Sequence, residues 1–275
     1  MKNLSLFQEK SKKIRQGIVS SIGTLGVGHI GGSLSCADLL AVLYFGEMRV
    51  DPQNPKMEGR DRLVVSKGHA GPAVYAALAE KGYFPYSELF TLNKIGTNLP
   101  SHCDMNRTVG IDMTTGSLGQ GFSCAAGIAY GSYLRKDGAF IYSLIGDGES
   151  QEGQIWEAAM FCAHKKLGNL IAFTDYNHQQ IDGTVSEVCT LGDLASKWAG
   201  FGWDVYCING HNHEEIYDTI ERAKAVTEKP SMILLETIKG KGISFVEQAG
   251  TKNHNMNISQ EQMQAALKEL EEGLQ

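Results

Sequence analysis

Apolar residues near the start of the chain recur at helical spacing: Ile14, Ile18, Ile22 and Leu25 form one stripe that stops at Gly26. Residues 35–45, Ser-Cys-Ala-Asp-Leu-Leu-Ala-Val-Leu-Tyr-Phe, predict a buried helix. The run Arg62–Ser66 predicts a short strand, followed by a helix through Ala70–Lys81. Residues 118–135 keep helical spacing but carry Gly119, Gly121, Gly127 and Gly131, an odd choice unless something packs closely on that helix. The second half is more regular. Strands are predicted at Ala139–Ile145, Leu170–Thr174, Trp203–Ile208 and Met232–Glu236, with helices at Gln154–Lys166, Asp193–Gly200 and His213–Thr227 between them. A terminal helix over 259–272 carries Met263, Leu267 and Leu270. Alternating strands and helices predict an α/β fold whose mostly parallel sheet is covered by helices on both faces. Without a linker, repeat or low-complexity tract, residues 1–275 are treated as one domain.

Composition narrows the function classes. The chain has 42% hydrophobic and 20% charged residues, enough apolar surface for a sizeable core. A net charge of −6 and a pI near 5.8 provide no basic field for nucleic acid or anionic lipid. The N-terminal MKNLSLFQEKSKKIRQ lacks a signal-peptide core, and no apolar run approaches a bilayer span, so a cytoplasmic location is expected. The six cysteines, at 36, 103, 124, 162, 189 and 207, are never closer than 18 residues and show no zinc spacing; reduced thiols filling the core are expected. Thirty-two glycines stand against six prolines and cluster at 23–32, 110–131, 146–153 and 238–250, as expected where backbone approaches a ligand.

In open α/β sheets ligands bind beyond the carboxyl ends of the strands. Ile145 ends a predicted strand and Gly146-Asp147-Gly148 follows; Thr174 ends the next and Asp175-Tyr176-Asn177 follows. The helix between makes a right-handed βαβ unit. Neighbouring strands lie about 4.8 Å apart, which would bring Asp147 and Asn177 to one sheet edge. A carboxylate, a carboxamide oxygen and a loop carbonyl, completed by two phosphate oxygens and a water, make an octahedral magnesium site. Gly148 would let backbone approach the phosphate at a helix start. A lone Gly-Asp-Gly is only a turn; its spacing to Glu152-Gly153 and to Asn177, thirty residues after Asp147, makes it informative.

That spacing resembles the thiamine-diphosphate fingerprint. The wording GDGESQEGQIWEAA with HKKLGNLIAFTDYNHQQIDG is similar to transketolase. GHIGGSLSCADLLAVLYF, SKGHAGPAVYAALAEKGYF, LPSHCDMNRTVGIDMTTGSLGQG and TIKGKGISFVE extend the resemblance, in family order, across about residues 20–260. The resemblance implies thiamine diphosphate and Mg2+, with Ca2+ or Mn2+ able to substitute. It implies metal ligation by Asp147, Asn177 and the Gln179 carbonyl, and places Gly116, Ser117, Leu118, Gly148 and Ile181 against the cofactor. Lys239 and His254 would approach the diphosphate and the reacting centre, while His29, His69 and His102 would surround the thiazolium carbon and the sugar hydroxyls. His29 and His254 are expected to shuttle protons, and His69 and His102 to hold the two-carbon fragment. Glu152 and Glu157 would lie at a subunit interface. His164 is expected to be solvated, and His178, His211 and His213 to be ordinary loop residues.

Two positions depart from the pattern: Gly32 stands where some members have a substrate-touching serine, with Ser33 next, and Asn255 rather than glycine follows His254. The resemblance also implies missing parts. The glutamate that activates the aminopyrimidine, and the groups holding the sugar phosphate, belong to domains this chain lacks. A second polypeptide in an α2β2 assembly is therefore expected, docking on an exposed apolar face. Three rivals exist. Gly26-x-Gly28-x-x-Gly31 with Asp51 imitates a dinucleotide fingerprint but follows a helix rather than a strand. The α subunit of a 2-oxoacid dehydrogenase shares the metal motif but not the histidine set, and a non-catalytic cofactor-binding module remains the third.

Overall fold

The computed structural model describes residues 2–273. Helix α1 (Leu4–Leu25) starts ten residues before the predicted stripe. Asn3 caps it, its side chain accepting from the Leu6 amide. Phe7, Ile14, Ile18 and Ile22 are fully buried while Gln8, Glu9 and Lys13 face solvent, so the polar run is one face of an amphipathic helix. Gly26 ends it with φ 91°, donating to the Ile22 carbonyl in the left-handed conformation that glycine adopts without strain. The Gly26–Gly31 segment therefore leaves a helix, which excludes the dinucleotide-binding arrangement.

After a short helix α2 (Ile30–Leu34) and a break, the helix predicted over 35–45 is present as α3 (Ala37–Val42), which continues into a π turn over Leu43–Glu47. The break falls at Cys36 (φ −99°, ψ 5°), and Gly46 packs under the Phe7 ring, 2.6 Å from where its Cβ would lie. Contrary to the expectation that no apolar run approaches a bilayer span, Ile30–Glu47 has that length and hydropathy, but 89% of it is buried within the domain.

Five parallel strands form the main sheet: β1 (Arg62–Val65), β2 (Ile141–Gly146), β3 (Leu170–Tyr176), β4 (Asp204–Asn209) and β5 (Ser231–Glu236), in the order β1-β2-β3-β5-β4. Alternate residues feed two cores. Tyr142, Leu144, Phe173 and Leu235 pack under α1, α4 (Gly71–Lys81) and α9 (His213–Lys224). Ile141, Ile145, Ala172 and Met232 pack under α5 (Gln120–Arg135), α6 (Gly153–His164) and α8 (Leu194–Gly200). β2 and β3 are covered on both faces, as parallel strands require, whereas the edge strand β4 is half exposed. The remaining helices are α7 (Val185–Cys189), α10 (Ser244–Gln248) and α11 (Gln260–Glu272).

Two expectations need correction. β3 runs through Tyr176, so Asp175 belongs to the sheet rather than to a loop. Only Cys36, Cys103 and Cys162 are core residues; Cys189 and Cys207 are exposed and Cys124 is intermediate.

Candidate active site

β2 and β3 pair in the register Gly146↔Asp175, so the turns that follow them, carrying Asp147 and Asn177, leave the same sheet edge. Both residues are nearly buried, at 2% and 7% exposure. The Asp147 carboxylate accepts from the amides of Gly148 and His178, the latter in the left-handed region at φ 62°. Burial, and the charge of Asp175, push its pKa up to about 6. The Asn177 amide donates to Asp175 Oδ2 at 2.9 Å, which leaves Oδ1 for the Gln179 amide and the site. The Gln179 carbonyl accepts from the Lys239 ammonium at 3.2 Å, so a cation already sits against it.

This donor set fits a magnesium ion carrying a diphosphate: one desolvated carboxylate and two neutral hard oxygens. Among the described residues no three His, Cys, Asp or Glu side chains cluster as a complete ligand set, so phosphate and water oxygens would have to complete the shell. One detail differs from expectation. The Gly148 amide, assigned to an anion from sequence, donates to Asp147 Oδ1 at 2.7 Å. Gly148 instead admits the hairpin formed by Gln179–Gln180 and Gly183–Thr184, since its Cβ would lie 3.1 Å from that of Gln180.

Four imidazoles meet close by. Ring centroids of His29 lie 5.6 Å from those of His69 and His102 and 5.5 Å from His254, and His69 and His254 are 4.9 Å apart. They come from four separated segments: the turn before α2, the turn after β1, the 101–104 loop and the segment after α10. Glycines make the approach possible. Gly32 sits under the His69 ring, Gly116 against His102, and Gly31 against Asn253, which precedes His254. All four rings are held neutral. Burial lowers His29 and His102, the latter also adding to the effect on His29; burial and the Lys67 charge hold His69 well below the usual range. His254 falls to about 3 through burial and the charge of Lys239, whose ammonium donates to its Nδ1 at 3.3 Å. That contact leaves the His254 proton on Nε2. Burial and Lys67 bring Lys239 itself down to about 8.

Several residues that hold this array escaped the sequence analysis. Asp175 is fully buried and accepts from Ser35, Lys67, Asn177 and Thr237, tying the α2 region, the His69 turn, the Asn177 amide and the Lys239 segment to one carboxylate. The Lys67 charge holds it below the ordinary aspartate range despite burial, and the same pairing raises Lys67. Glu149 accepts from Ser66 and from the amides of Gly119 and Gly146, clipping the 117–119 loop to the Gly146–Gly148 turn. The available signal was charge next to an apolar strand: Lys67 just beyond β1, Asp175 near the end of β3 and Glu149 just beyond β2.

The other predicted positions divide. Gly116 lies within the histidine array, the Leu118 carbonyl accepts from Gln154, and Ser117 is exposed. Ile181, at the hairpin tip, is 63% exposed. Glu152 and Glu157 are exposed at the start and along the outside of α6, apart from the imidazoles. His164 is exposed as expected. His211 and His213 are not ordinary loop residues: both bond the buried Asp38.

The family description "Transketolase, thiamine diphosphate binding domain" matches residues 8–271. The chain is 58% identical over 264 residues to the 6-deoxy-6-sulfo-D-fructose transketolase subunit SqwG of Clostridium sp. (strain MSTE9), covering 96% of each chain. It is 39% identical to a subunit of the apulose-4-phosphate transketolase of Phocaeicola vulgatus, covering 97% of this chain and 94% of that one. The solved transketolase of Campylobacter jejuni superposes with a TM-score of 0.90 at 30% identity, over 98% of this chain but 43% of that one. With the metal-type edge and the four imidazoles in place on that fold, this chain belongs to the transketolase family and represents its thiamine diphosphate binding domain.

Proposed function

We propose that this chain is the N-terminal subunit of a split transketolase, moving a two-carbon ketol unit from an anionic ketose to an aldose with thiamine diphosphate and Mg2+. One observation carries the reading: four neutral imidazoles converge beside an Asp147–Asn177–Gln179 edge that Lys239 already bridges to His254. Asp147, Asn177 and Gln179 would hold the metal, and Gly116, Leu118 and Ile181 would flank the organic ring system. When bound, thiamine diphosphate supplies the carbon nucleophile and the electron sink.

The chain's own residues handle protons and orientation. Breaking the C2–C3 bond of the ketose requires the C3 hydroxyl to lose a proton as it becomes a carbonyl; the acceptor's carbonyl oxygen gains one as the new bond forms. Neutral imidazoles suit both steps, and His29 and His254 are assigned to them. His69 and His102 hold the oxygens of the two-carbon fragment. Catalysis needs a second subunit, in an α2β2 arrangement, for the aminopyrimidine-activating glutamate and the residues that grip the sugar's anionic end. Two observations support that partner: relatives of the same length are named as subunits, and Ile181 and Ile238 leave apolar side chains exposed beside the site. Glu152 and Glu157 are proposed to lie at the interface between assembled copies.

The 58% identical relative is named for 6-deoxy-6-sulfo-D-fructose, which makes this sulfo-ketose the first donor to test; its cleavage would leave a four-carbon sulfo-aldose. The test reconstitutes the chain with its partner, Mg2+ and thiamine diphosphate, and assays ketol transfer from the sulfo-ketose, fructose 6-phosphate and xylulose 5-phosphate. Asp147→Ala should abolish cofactor binding in the assembled enzyme. Full cofactor-dependent activity in that variant, or no transfer from any ketose by the wild type, would refute the assignment.

A further inference from the structure

Outside the imidazole array, a second cluster surrounds Asp38 on α3. Both terminal guanidinium nitrogens of Arg15 bond its carboxylate, at 2.9 and 2.6 Å. His211 Nδ1 lies 2.7 Å from Oδ2 and His213 Nε2 lies 3.1 Å from Oδ1. Arg15 and His211 supply three hydrogen bonds, His213 Nε2 also approaches Ser11 Oγ at 3.2 Å, and Asp38 is 3% exposed. The charge of Arg15, with the hydrogen bonds from both histidines, overcomes burial and keeps the group ionised well below the usual range.

An ionised carboxylate accepts only, so His211 must donate from Nδ1. The other ring nitrogen, Nε2, lies 2.9 Å from the backbone nitrogen of Ile238, which donates only. These two neighbours leave one arrangement: a neutral ring with its proton on Nδ1. Ile238 precedes Lys239, and the chain is anchored on either side. The Thr237 amide donates to the Tyr176 carbonyl and its hydroxyl to Asp175, while the Gly240 amide donates to the Gly31 carbonyl. His211 therefore fixes the middle of a four-residue span whose lysine contacts Gln179 and His254.

We propose that His211, clamped in one tautomer by Asp38, is a positioning residue for ketol transfer: it holds the Ile238 amide and thereby the Lys239 ammonium in the site. The inference rests on the transketolase reading for its kinetic consequence, but not for the geometry itself. The ionisable groups facing His211 are Asp38, Arg15 and His213, with Lys12 and Lys241 lining the same 570 Å³ cavity and Glu214 the neighbouring one.

The test compares wild type, His211→Phe and His211→Gln in the reconstituted holoenzyme. The first removes both hydrogen bonds; the second keeps an amide that donates to Asp38 and accepts from Ile238. His211→Phe should lose kcat by roughly 10–100-fold, the range typical of groups that orient a ligand-binding residue, and His211→Gln should recover most of it. The deciding readout is hydrogen exchange of the backbone over residues 237–240, followed by mass spectrometry. The Ile238 amide, bonded to His211 Nε2 in wild type, should exchange about tenfold faster in His211→Phe and return to the wild-type rate in His211→Gln, while the amides of the main sheet stay unchanged. If the Phe variant does not fold, His211→Asn, which reaches Asp38 but not Ile238, should show the same acceleration. Unchanged exchange over this span overturns the proposal whatever happens to kcat, because it marks any kinetic loss as general disruption. Failure of the wild type to transfer a ketol unit would refute the function while leaving this exchange decisive.

Discussion

Replacing Asp175 by asparagine tests whether one buried ion pair supports the site. Oδ2 accepts from Ser35, Lys67 and Asn177, and Oδ1 from Thr237, whose hydroxyl can reverse its role. The new carboxamide can therefore turn its oxygen to the three donors and its NH2 to Thr237, preserving the geometry and removing only the charge. What remains is the Lys67 ammonium, 2% exposed and without a counter-ion. Removing one partner of a buried pair costs about 3–5 kcal/mol. At about 2–4 °C per kcal/mol for a chain of this size, the melting temperature should fall by roughly 6–20 °C. The deficit has a defined pH dependence. An unpaired buried lysine has a folded pKa below its unfolded one, so the unfolded state binds the extra proton and the deficit shrinks as pH rises toward the unfolded value near 10.4. Adding Lys67→Met removes the stranded charge, and the double variant should melt well above Asp175→Asn. Thermal melts followed by circular dichroism at several pH values provide the assay. If Asp175→Asn melts within a degree or two of wild type, or Lys67→Met adds further loss instead of relief, the carboxylate does not carry the role argued for it.

Two other outcomes follow from the same geometry. A metal binds the deprotonated form of Asp147, whose pKa is raised to about 6; magnesium-dependent binding of thiamine diphosphate should therefore weaken about tenfold per pH unit below that value, measured by calorimetry on the assembled enzyme. Gly31→Ala would place a Cβ against the Asn253 side chain and 2.7 Å from its carbonyl oxygen, and overpacking of this kind costs about 1–3 kcal/mol. Because His254 follows Asn253, kcat in that variant should drop alongside the melting temperature, and a change in the melt alone would detach this contact from the array.

Much of the fold was legible because its physics is local. Period-3.6 stripes, glycine stops and uniformly apolar strands identified the alternating elements, and the parallel α/β sheet follows from that alternation. The meeting of Asp147 and Asn177 at one sheet edge was legible for a related reason. Two strands joined by one helix are usually neighbours, so the residues just beyond their ends meet without further information. The four histidines were legible only through resemblance, since no spacing within the chain states that residues 29, 69, 102 and 254 converge.

The rest was set by contacts between residues far apart in the chain. The helix expected at 35–45 forms, but the π turn that ends it, where Gly46 packs against Phe7 of α1, depends on a contact distant in the chain. Asp175 looked like part of a loop because an ionised residue in a buried strand is costly, and its cost is met by Lys67, which lies 108 positions away, together with Ser35, Asn177 and Thr237. His211 and His213 looked ordinary for the same reason: their partners, Asp38 and the Ile238 amide, come from elements that sequence order keeps apart. Hydrophobic periodicity is a property of neighbouring residues and can be read along a chain. The pairing of buried charges and the choice of a histidine tautomer depend on groups brought together only by the folded sheet.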